Sequence, residues 1–485
     1  MPGPNTGAGS RGTNRVSEGR TAFPWTDRAV REALGMSLER ADDTVEFAGV
    51  GTDSRSVAEG DLFVALTGDR FDGHDFVADA AAAGATGAVV SRPVSGASRV
   101  RLYPVQDTLV AFGKLARHRR RALRAEVVGI TGSSGKTTTK ELLKGALRRS
   151  FRVHATPMNY NNRVGLPRTL LDAPQDVQVV VVEMGTNEPG EIEILTGIAE
   201  PGYGVITTVG EGHLEKLGSV QGVFEEKLSL IRGLKEPGVG VVSDQPPVLP
   251  ERAREIHSPI RVAGWSERAD EDLRPGEPEA DSRGCFHFRW KGETVTLRIP
   301  GRHAVLDALL ALAVADELGV EPRAAARGVG QVESLDMRGE IRSVGSLTVI
   351  LDCYNANPES VRASLELLAS HPELGERVAV LGSMLELGKA SARLHEEVLQ
   401  DALDRPLDLI VAVGHFAVAA RTLGLTGRTE APRVVAVDEV EEAYPALLPE
   451  LEGGEIVLLK ASRGVELERL VPLLEWDFGT GGGTS

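Results

Sequence analysis

The stretch with the clearest chemistry is Val127 to Lys140, which reads V-V-G-I-T-G-S-S-G-K-T-T-T-K. Holding a triphosphate takes several backbone N–H donors converging on the phosphates, a positive charge beside the terminal ones, and a hydroxyl that shares the bound magnesium. Gly132 and Gly135 let the main chain approach such a ligand, with Ser133, Ser134 and Thr138 around it, while Lys136 supplies charge and Thr137 the hydroxyl. Strict P-loop spacing places its first glycine at position 130, where this chain has Ile130, so the match is to a shortened T-G-x-x-G-K-T form. A Gly/Ser turn before a helix could share these glycines, but strand, loop and helix in this order favour a phosphate-binding loop.

Two more reactive groups stand at comparable places. The apolar stretch Val177 to Val182 ends in Glu183, and a second strand-like stretch, Val205 to Val209, ends just before His213. Ligands of open parallel sheets collect at the carboxyl ends of the strands, so Lys136, Glu183 and His213 are predicted to share one mouth suited to phosphate and magnesium. Lys227, on the next helix, reads by itself as an exposed lysine.

The elements that must position these groups follow an α/β rhythm. The chain has 485 residues; at about 150 residues per domain, that suggests three domains. Thr21 to about Val105 reads as a small α/β unit with a helix from His74 to Ala83. Its polar segments Asp53-Ser54-Arg55 and Gly68 to His74 are either ligand loops or ordinary solvated turns. The basic run Arg117 to Arg124 reads as a solvated helix end favoured by the helix dipole rather than as a nucleic-acid patch. Past the loop, Lys140 to Arg149 carries Leu142, Leu143, Ala146 and Leu147 on one helical face, and the pattern continues as a doubly wound parallel sheet. Residues 245 to 283 are polar with weak periodicity; a hairpin around Lys291-Gly292 and an apolar helix from His303 to Leu318 follow.

The last third predicts strands at Leu347 to Leu351, Val378 to Leu381, Leu409 to Val413, Val434 to Val437 and Ile456 to Leu459, with a helix starting at Pro358. The expected fold class is therefore α/β in three domains: a small N-terminal α/β domain (21–107), a central P-loop doubly wound sheet (108–330) and a C-terminal Rossmann-like domain (331–478). Residues 1–20 and 479–485 read as tails.

Composition excludes several classes. There are 54 Lys plus Arg against 70 Asp plus Glu, a formal net charge of -16, which argues against nucleic acid as partner. Cys285 and Cys353 are the two cysteines, far apart, as suits a reducing cytoplasm. No stretch reaches the ~18 apolar residues that span a membrane.

In combination, T-G-S-S-G-K-T-T, N-Y-N-N-R-V-G (Asn159 to Gly165), V-E-M-G-T-N-E-P-G-E-I (Val182 to Ile192), G-H-L-E, Y-N-A-N-P and K-A-S-R resemble the Mur ligases of peptidoglycan synthesis, from about Thr21 to Trp476. The D-S-R, F-V-A-L (Phe63 to Leu66) and Y-N-A-N-P segments are typical of the branch that adds D-alanyl-D-alanine to UDP-N-acetylmuramoyl-tripeptide, and the D-N-P-R signature of the preceding step is absent. The resemblance implies a monomeric cytoplasmic enzyme that forms an amide through an acyl phosphate, using ATP and two Mg²⁺ ions. The first domain would hold the UDP-sugar, the second ATP, and the third would bring the dipeptide.

Carried over by residue, the resemblance implies Lys136 on the β/γ-phosphates, Thr137 and Glu183 on one magnesium, His213 on the other, and Lys227 as a carbamylated magnesium ligand. Arg338 and Asp352 would reach the phosphate and ribose of ATP, and Asp307 its adenine. Asp53, Ser54 and Arg55 would bind substrate, Asn161 and Asn162 would lie near the UDP-sugar, Tyr354 and Asn355 near substrate, and Ser462 and Arg463 on the dipeptide carboxylate. Departures from the family pattern are Ala304 and Asp307 for asparagines, Ser383 for aspartate, Arg163 for an acidic residue and Ala461 for glycine. A sister ligase with another acceptor, such as a folyl-polyglutamate synthetase, and an ATP-binding relative without ligase activity are the alternatives.

Overall fold

The computed structural model describes residues 23–479 except 69, 97, 99 and 429, so the expected tails, apart from Gly479, lie outside the described residues. Contacts divide the chain into two compact units. One runs to Thr108 and includes Pro174–Asp176; the other holds the remainder.

The first unit has a four-stranded parallel sheet in the order Val50–Gly51, Leu62–Val64, Gly87–Val90, Arg101–Pro104. A short antiparallel pair, Trp25–Thr26 with Glu46–Phe47, precedes it. Its helix Asp27–Leu34 begins on a fully buried carboxylate that accepts from the Tyr103 hydroxyl, from Arg31 at 2.8 Å and from the Asp42 amide at 2.9 Å. The helix expected from His74 opens instead as a 3-10 turn, Gly73–Phe76, and is α-helical over Val77–Ala82. Asp72 accepts from the His74 amide and pins that tighter start.

The second unit contains two six-stranded sheets. The first is wholly parallel, in the order Ile260–Ala263, Val239–Ser243, Tyr203–Ile206, Glu126–Thr131, Val179–Glu183, Val153–Ala155. Val179 to Val182 are fully buried, as a strand covered on both faces requires. The helix Lys136–Leu147 leaves the end of the Glu126–Thr131 strand and packs on His303–Glu317, which is apolar and buried nearly all round. Val239–Ser243, the helix Leu249–Ile256 and the edge strand Ile260–Ala263 were hidden in or beside the stretch that reads as polar and irregular. The edge strand is masked by Arg261, whose guanidinium pairs with Asp270 at 2.7 Å, Asp272 at 2.9 Å and Glu317 at 2.6 Å. The hairpin Cys285–Trp290 with Glu293–Pro300 turns at Lys291 and Gly292, both with positive φ (45° and 83°), as a type I′ turn demands.

The second sheet runs Glu340–Val344, Leu347–Asp352, Ile456–Lys460, Arg377–Leu381, Leu409–Val413, Arg433–Val437. Five strands are parallel, and Glu340–Val344, which the sequence pattern does not announce, pairs antiparallel at the edge. The helix Pro358–Ala369 starts where the sequence places it, closed by an Asn357–Ser360 capping box.

The expectation of a solvated basic helix end fails in part. Arg119 and Arg120 are buried rather than solvated, and donate to the carbonyls of Ala173 at 2.7 Å and Ala199 at 2.8 Å. Ala199 is the last residue of the helix Glu191–Ala199, whose final C=O groups have no partner within the helix, and Ala173 lies just past the end of Gly165–Leu171. Arg117 and Arg121 do face outward, where both pair with Glu200. No helix among the described residues is long and apolar enough to cross a membrane.

The P-loop helix meets the helix Pro322–Val329 through two glycines: a Cβ on Gly145 would lie 2.8 Å from the Gly328 carbonyl oxygen, and one on Gly328 would overlap the Gly145 carbonyl. Backbone cannot yield as a side chain can, so Gly328→Ala should lower stability by about 2 kcal/mol through overpacking. Denaturant unfolding checks this; an unchanged midpoint would show that the two helices can separate freely.

Candidate active site

A cleft of about 780 Å³ opens in the second unit at the carboxyl ends of the central strands. Its floor is the loop from Gly132 to Lys136. Gly132 has φ 152°, and a Cβ there would overlap the Thr207 hydroxyl; Gly135 has φ 82° and lies against the Asp307 carboxyl. Neither position has room for any other residue. The amides of Ser133 and Ser134 donate to the Thr208 carbonyl at 2.8 Å and hydroxyl at 3.2 Å, tying the loop to the end of the neighbouring strand. Lys136 folds back so that its ammonium donates to the Gly132 carbonyl at 2.7 Å. Burial lowers the Lys136 amine, Glu183 opposes that shift, and Arg338 adds to it.

Thr137 donates to Glu183 Oε2 at 3.0 Å, and Asn161 Nδ2 donates to Oε1 at 2.8 Å. Asn161, expected near a sugar, thus steadies the carboxylate beside the phosphate loop. Asn162 lines the cleft too, but its side chain accepts from the Val164 and Gly165 amides at the start of the Gly165–Leu171 helix. Lys140, one helical turn past Lys136, is buried and donates to the Thr156 carbonyl at 2.8 Å, holding the segment that carries Asn161.

Lys227 is fully buried on the helix Val220–Arg232, and its ammonium nitrogen has no hydrogen-bond partner. Burial pushes it down to about 7, the nearby Lys136 charge contributes, and Glu226 opposes. The expectation of an ordinary exposed lysine is therefore wrong. His213 lines the same cleft at φ 57°, with Nδ1 paired at 2.6 Å to Glu386 from the second sheet's side of the cleft.

That second wall also brings Arg338, Asp352, Tyr354 and Asn355 to the cleft. Arg338 stacks on the Tyr354 ring at 3.9 Å. The Asp352 carboxylate is already engaged by Lys460 at 2.8 Å and by the Ser364 hydroxyl at 2.5 Å. Ser462 and Arg463 are not part of the cleft lining. Ser462 is buried, accepting from the Leu385 amide at 3.0 Å, and Arg463 is exposed and paired with Glu468 at 2.7 Å. Ser383 accepts from the His415 amide at 2.9 Å. Asp307 is buried in the cleft wall, accepts from Thr139 at 3.2 Å, and is pushed up to about 8 by burial, with the Thr139 bond opposing. Asp53, Ser54 and Arg55 form a turn of the first unit, where Asp53 and Arg55 pair at 2.7 Å and the Arg55 bonds hold the Asp53 carboxyl down to about 2.

Sequence reasoning missed several residues of the lining. Trp265 and Arg302 stack at 4.0 Å, and their partnership across the intervening hairpin has no local signature. Lys460, which opens the K-A-S-R cluster that the sequence marks at a strand end, lines the cleft as well. Asn357 was legible as a helix cap, but its second role was not: Nδ2 donates to the Ser133 carbonyl at 3.3 Å, from 224 residues away.

The donor set suits magnesium. Thr137 and Glu183 present a hydroxyl and a carboxylate oxygen side by side, and the amine of Lys227 is buried, unpartnered and driven towards its neutral form, the form that reacts with CO₂ to give an oxygen ligand. No cluster of three or more His, Cys, Asp or Glu side chains able to hold a metal occurs among the described residues. A divalent ion here would thus depend on the Thr137 hydroxyl and Glu183 carboxylate together with a modified lysine and ligand oxygens.

Comparison with known proteins agrees with this geometry. Three family models match: the Mur ligase family catalytic domain over residues 46–120, the Mur ligase middle domain over 130–315, and the Mur ligase glutamate ligase domain over 337–463. The chain is 36% identical over 427 residues to the UDP-N-acetylmuramoyl-tripeptide--D-alanyl-D-alanine ligase of Bacillus subtilis, covering 87% of this chain and 92% of the relative. Among solved structures, MurF from Acinetobacter baumannii superposes with a TM-score of 0.84 at 32% identity, covering 94% of this chain and 99% of that one. MurF ligase from Thermotoga maritima, solved in complex with ADP, gives 0.77 at 29% identity over 88% and 97%. With matches of this extent and a cleft assembled from the motifs they share, the chain belongs to the Mur ligase family.

Proposed function

We propose that this chain is the ATP-dependent ligase that joins D-alanyl-D-alanine to UDP-N-acetylmuramoyl-tripeptide in peptidoglycan precursor synthesis. The observation that carries the reading is the buried, unpartnered Lys227 amine, which does not line the cleft but lies near enough to Lys136 of the phosphate loop to feel its charge, in the unit that also holds the Thr137–Glu183 pair. A nucleotide-binding protein without ligase chemistry has no need to keep a lysine without a partner in its interior, where an unsatisfied polar group costs about 1–3 kcal/mol.

The chemical problem is that a carboxylate is a poor electrophile and repels a triphosphate. The amides of Gly135 to Thr138 and the Lys136 side chain would hold the β- and γ-phosphates, the Ser133 and Ser134 amides being committed to Thr208, and Arg338 would approach from the second wall. Both reduce the charge that the substrate carboxylate meets as it attacks the γ-phosphate. The resulting acyl phosphate is then displaced by the dipeptide amine. Thr137, Glu183, His213 and a carbamylated Lys227 would hold two magnesium ions, which supply charge neutralisation on the phosphoryl oxygens. Asp307, with Trp265 and Arg302 nearby in the lining, would border the adenine.

The three segments 21–107, 108–330 and 331–478 would serve the UDP-sugar, ATP and the dipeptide respectively, with Asp53, Ser54 and Arg55 in the first. We further infer a monomer working in the cytoplasm, where its nucleotide-linked substrate is made. The dipeptide carboxylate would be met by groups of the second wall other than Ser462, whose hydroxyl is committed to the Leu385 amide.

Two outcomes are expected. Phosphate release should require UDP-muramoyl-tripeptide, D-alanyl-D-alanine and ATP together, and turnover indifferent to the dipeptide would count against the reading. Lys227→Ala should lower kcat by about 100-fold, the scale of losing one electrostatic contributor in a buried site, with partial recovery on adding a short-chain carboxylic acid. The wild-type enzyme should lose activity as pH falls through about 7, where the Lys227 amine protonates. Added bicarbonate should restore part of that loss; full activity of Lys227→Ala without additives would overturn the carbamate.

A further inference from the structure

Amide formation leaves one requirement unmet: the incoming amine arrives as an ammonium ion and must lose a proton before it can attack. Six carboxylates line the cleft: Glu183, Glu191, Asp307, Asp352, Glu359 and Glu366. Glu183 is held by Thr137 and Asn161; Glu191 accepts from the Asn187 and Glu188 amides at 2.6 and 3.0 Å; Asp352 is paired with Lys460. Asp307 lies under Gly135, bonded to Thr139, and Glu366 is exposed on the outer part of its helix.

Glu359 differs from all of these. It sits at the second position of the helix Pro358–Ala369, in no ion pair among the described residues, with one weak bond from the Thr208 hydroxyl at 3.4 Å. Thr208 is the residue that ties down Ser133 and Ser134, and Asn357, two residues before Glu359, donates to the Ser133 carbonyl at 3.3 Å. The carboxylate packs on Gly210 so closely that a Cβ there would overlap it. A lightly held carboxylate is therefore fixed beside the phosphate loop.

We propose that Glu359 is the proton acceptor for the attacking amine, a role that rests on the ligase reading above. The dipeptide ammonium gives one proton to a Glu359 oxygen. The freed lone pair forms the C–N bond to the acyl carbon, and the acyl C–O bond breaks with its electron pair leaving on phosphate. The second nitrogen proton departs with phosphate as hydrogen phosphate, and Glu359 returns its proton to solvent, so atoms and charge balance. Burial pushes the Glu359 carboxyl up, towards the range of a useful base, while the Thr208 bond opposes; Glu211 adds to the rise and Arg362, on the same helix, opposes it. Glu211 is itself paired with Arg393 at 3.3 Å. A carboxylate at this helix position could instead only stabilise the helix N-terminus, and the two roles differ in their pH response.

The test is Glu359→Gln, checked for folding by ADP binding and assayed from pH 6.5 to 9.5. At pH 7 kcat should fall about 100-fold, the usual worth of a positioned base, with the KM for ATP unchanged. The deficit should shrink several-fold above about pH 8, where an α-amine is already largely free. A deficit constant across pH, or no deficit, overturns the proposal. Should the amide variant fail to bind ADP, Gly210→Ala, whose Cβ would take the carboxylate's place, gives the same comparison: a deficit that shrinks as pH rises supports the role, and a constant or absent one overturns it. Dipeptide-dependent phosphate release by the wild type separates the claims: without it the ligase reading falls, whereas a pH-independent deficit in the variant removes only the role of Glu359.

Discussion

The cleft depends on a loop that has no slack. Gly132 is pressed against Thr207 and Gly135 against Asp307, so the main chain between them is clamped by one neighbouring strand and one neighbouring helix. Such a loop keeps its N–H groups in place without a ligand to order them, and donors that need no reorganisation are what make electrostatic catalysis effective. The same clamp starts the helix Lys136–Leu147 at a fixed point. Lys136 and Thr137 then line the cleft, while Lys140, one turn on, is buried and anchors the segment that carries Asn161.

Charge is managed by burial in two opposite ways. Lys227 is stripped of partners and driven towards neutrality, which a reaction with CO₂ requires, whereas Lys460 is equally buried but compensated by Asp352 and the Asn355 carbonyl. A buried cation that is paired is structural; one that is left alone stores a cost that only a ligand or a modification relieves. Arg119 and Arg120 show the paired solution again, spending their donors on helix-end carbonyls.

The two walls of the cleft meet through few, specific contacts. Asn357 reaches Ser133, Glu359 reaches Thr208, and Glu386 reaches His213. Each joins a residue of the second sheet's wall to the phosphate loop or to the strand ends beside it, so any rearrangement of one wall is felt directly at the nucleotide end. Ser383 is spent on the His415 amide and so shapes its own loop without lining the cleft.

Much of this was legible in the chain itself. Valine runs ending in Glu183 and the glycines at 132 and 135 fix local geometry, because β-covered strands and left-handed or crowded backbone positions admit few residue types. The parallel sheets, the hairpin at Lys291-Gly292 and the start of the Pro358 helix follow from such local rules. What stayed hidden was set by partners distant in sequence. The edge strand around Arg261 looks polar until its acids are in place, Asn161 gains meaning only when Glu183 is beside it, and Arg119 and Arg120 read as solvated until the Ala173 and Ala199 carbonyls arrive to take their donors. Lys227 is the limiting case: nothing local marks it, since being buried and alone is a property of its surroundings, and the surroundings exist only in the folded chain.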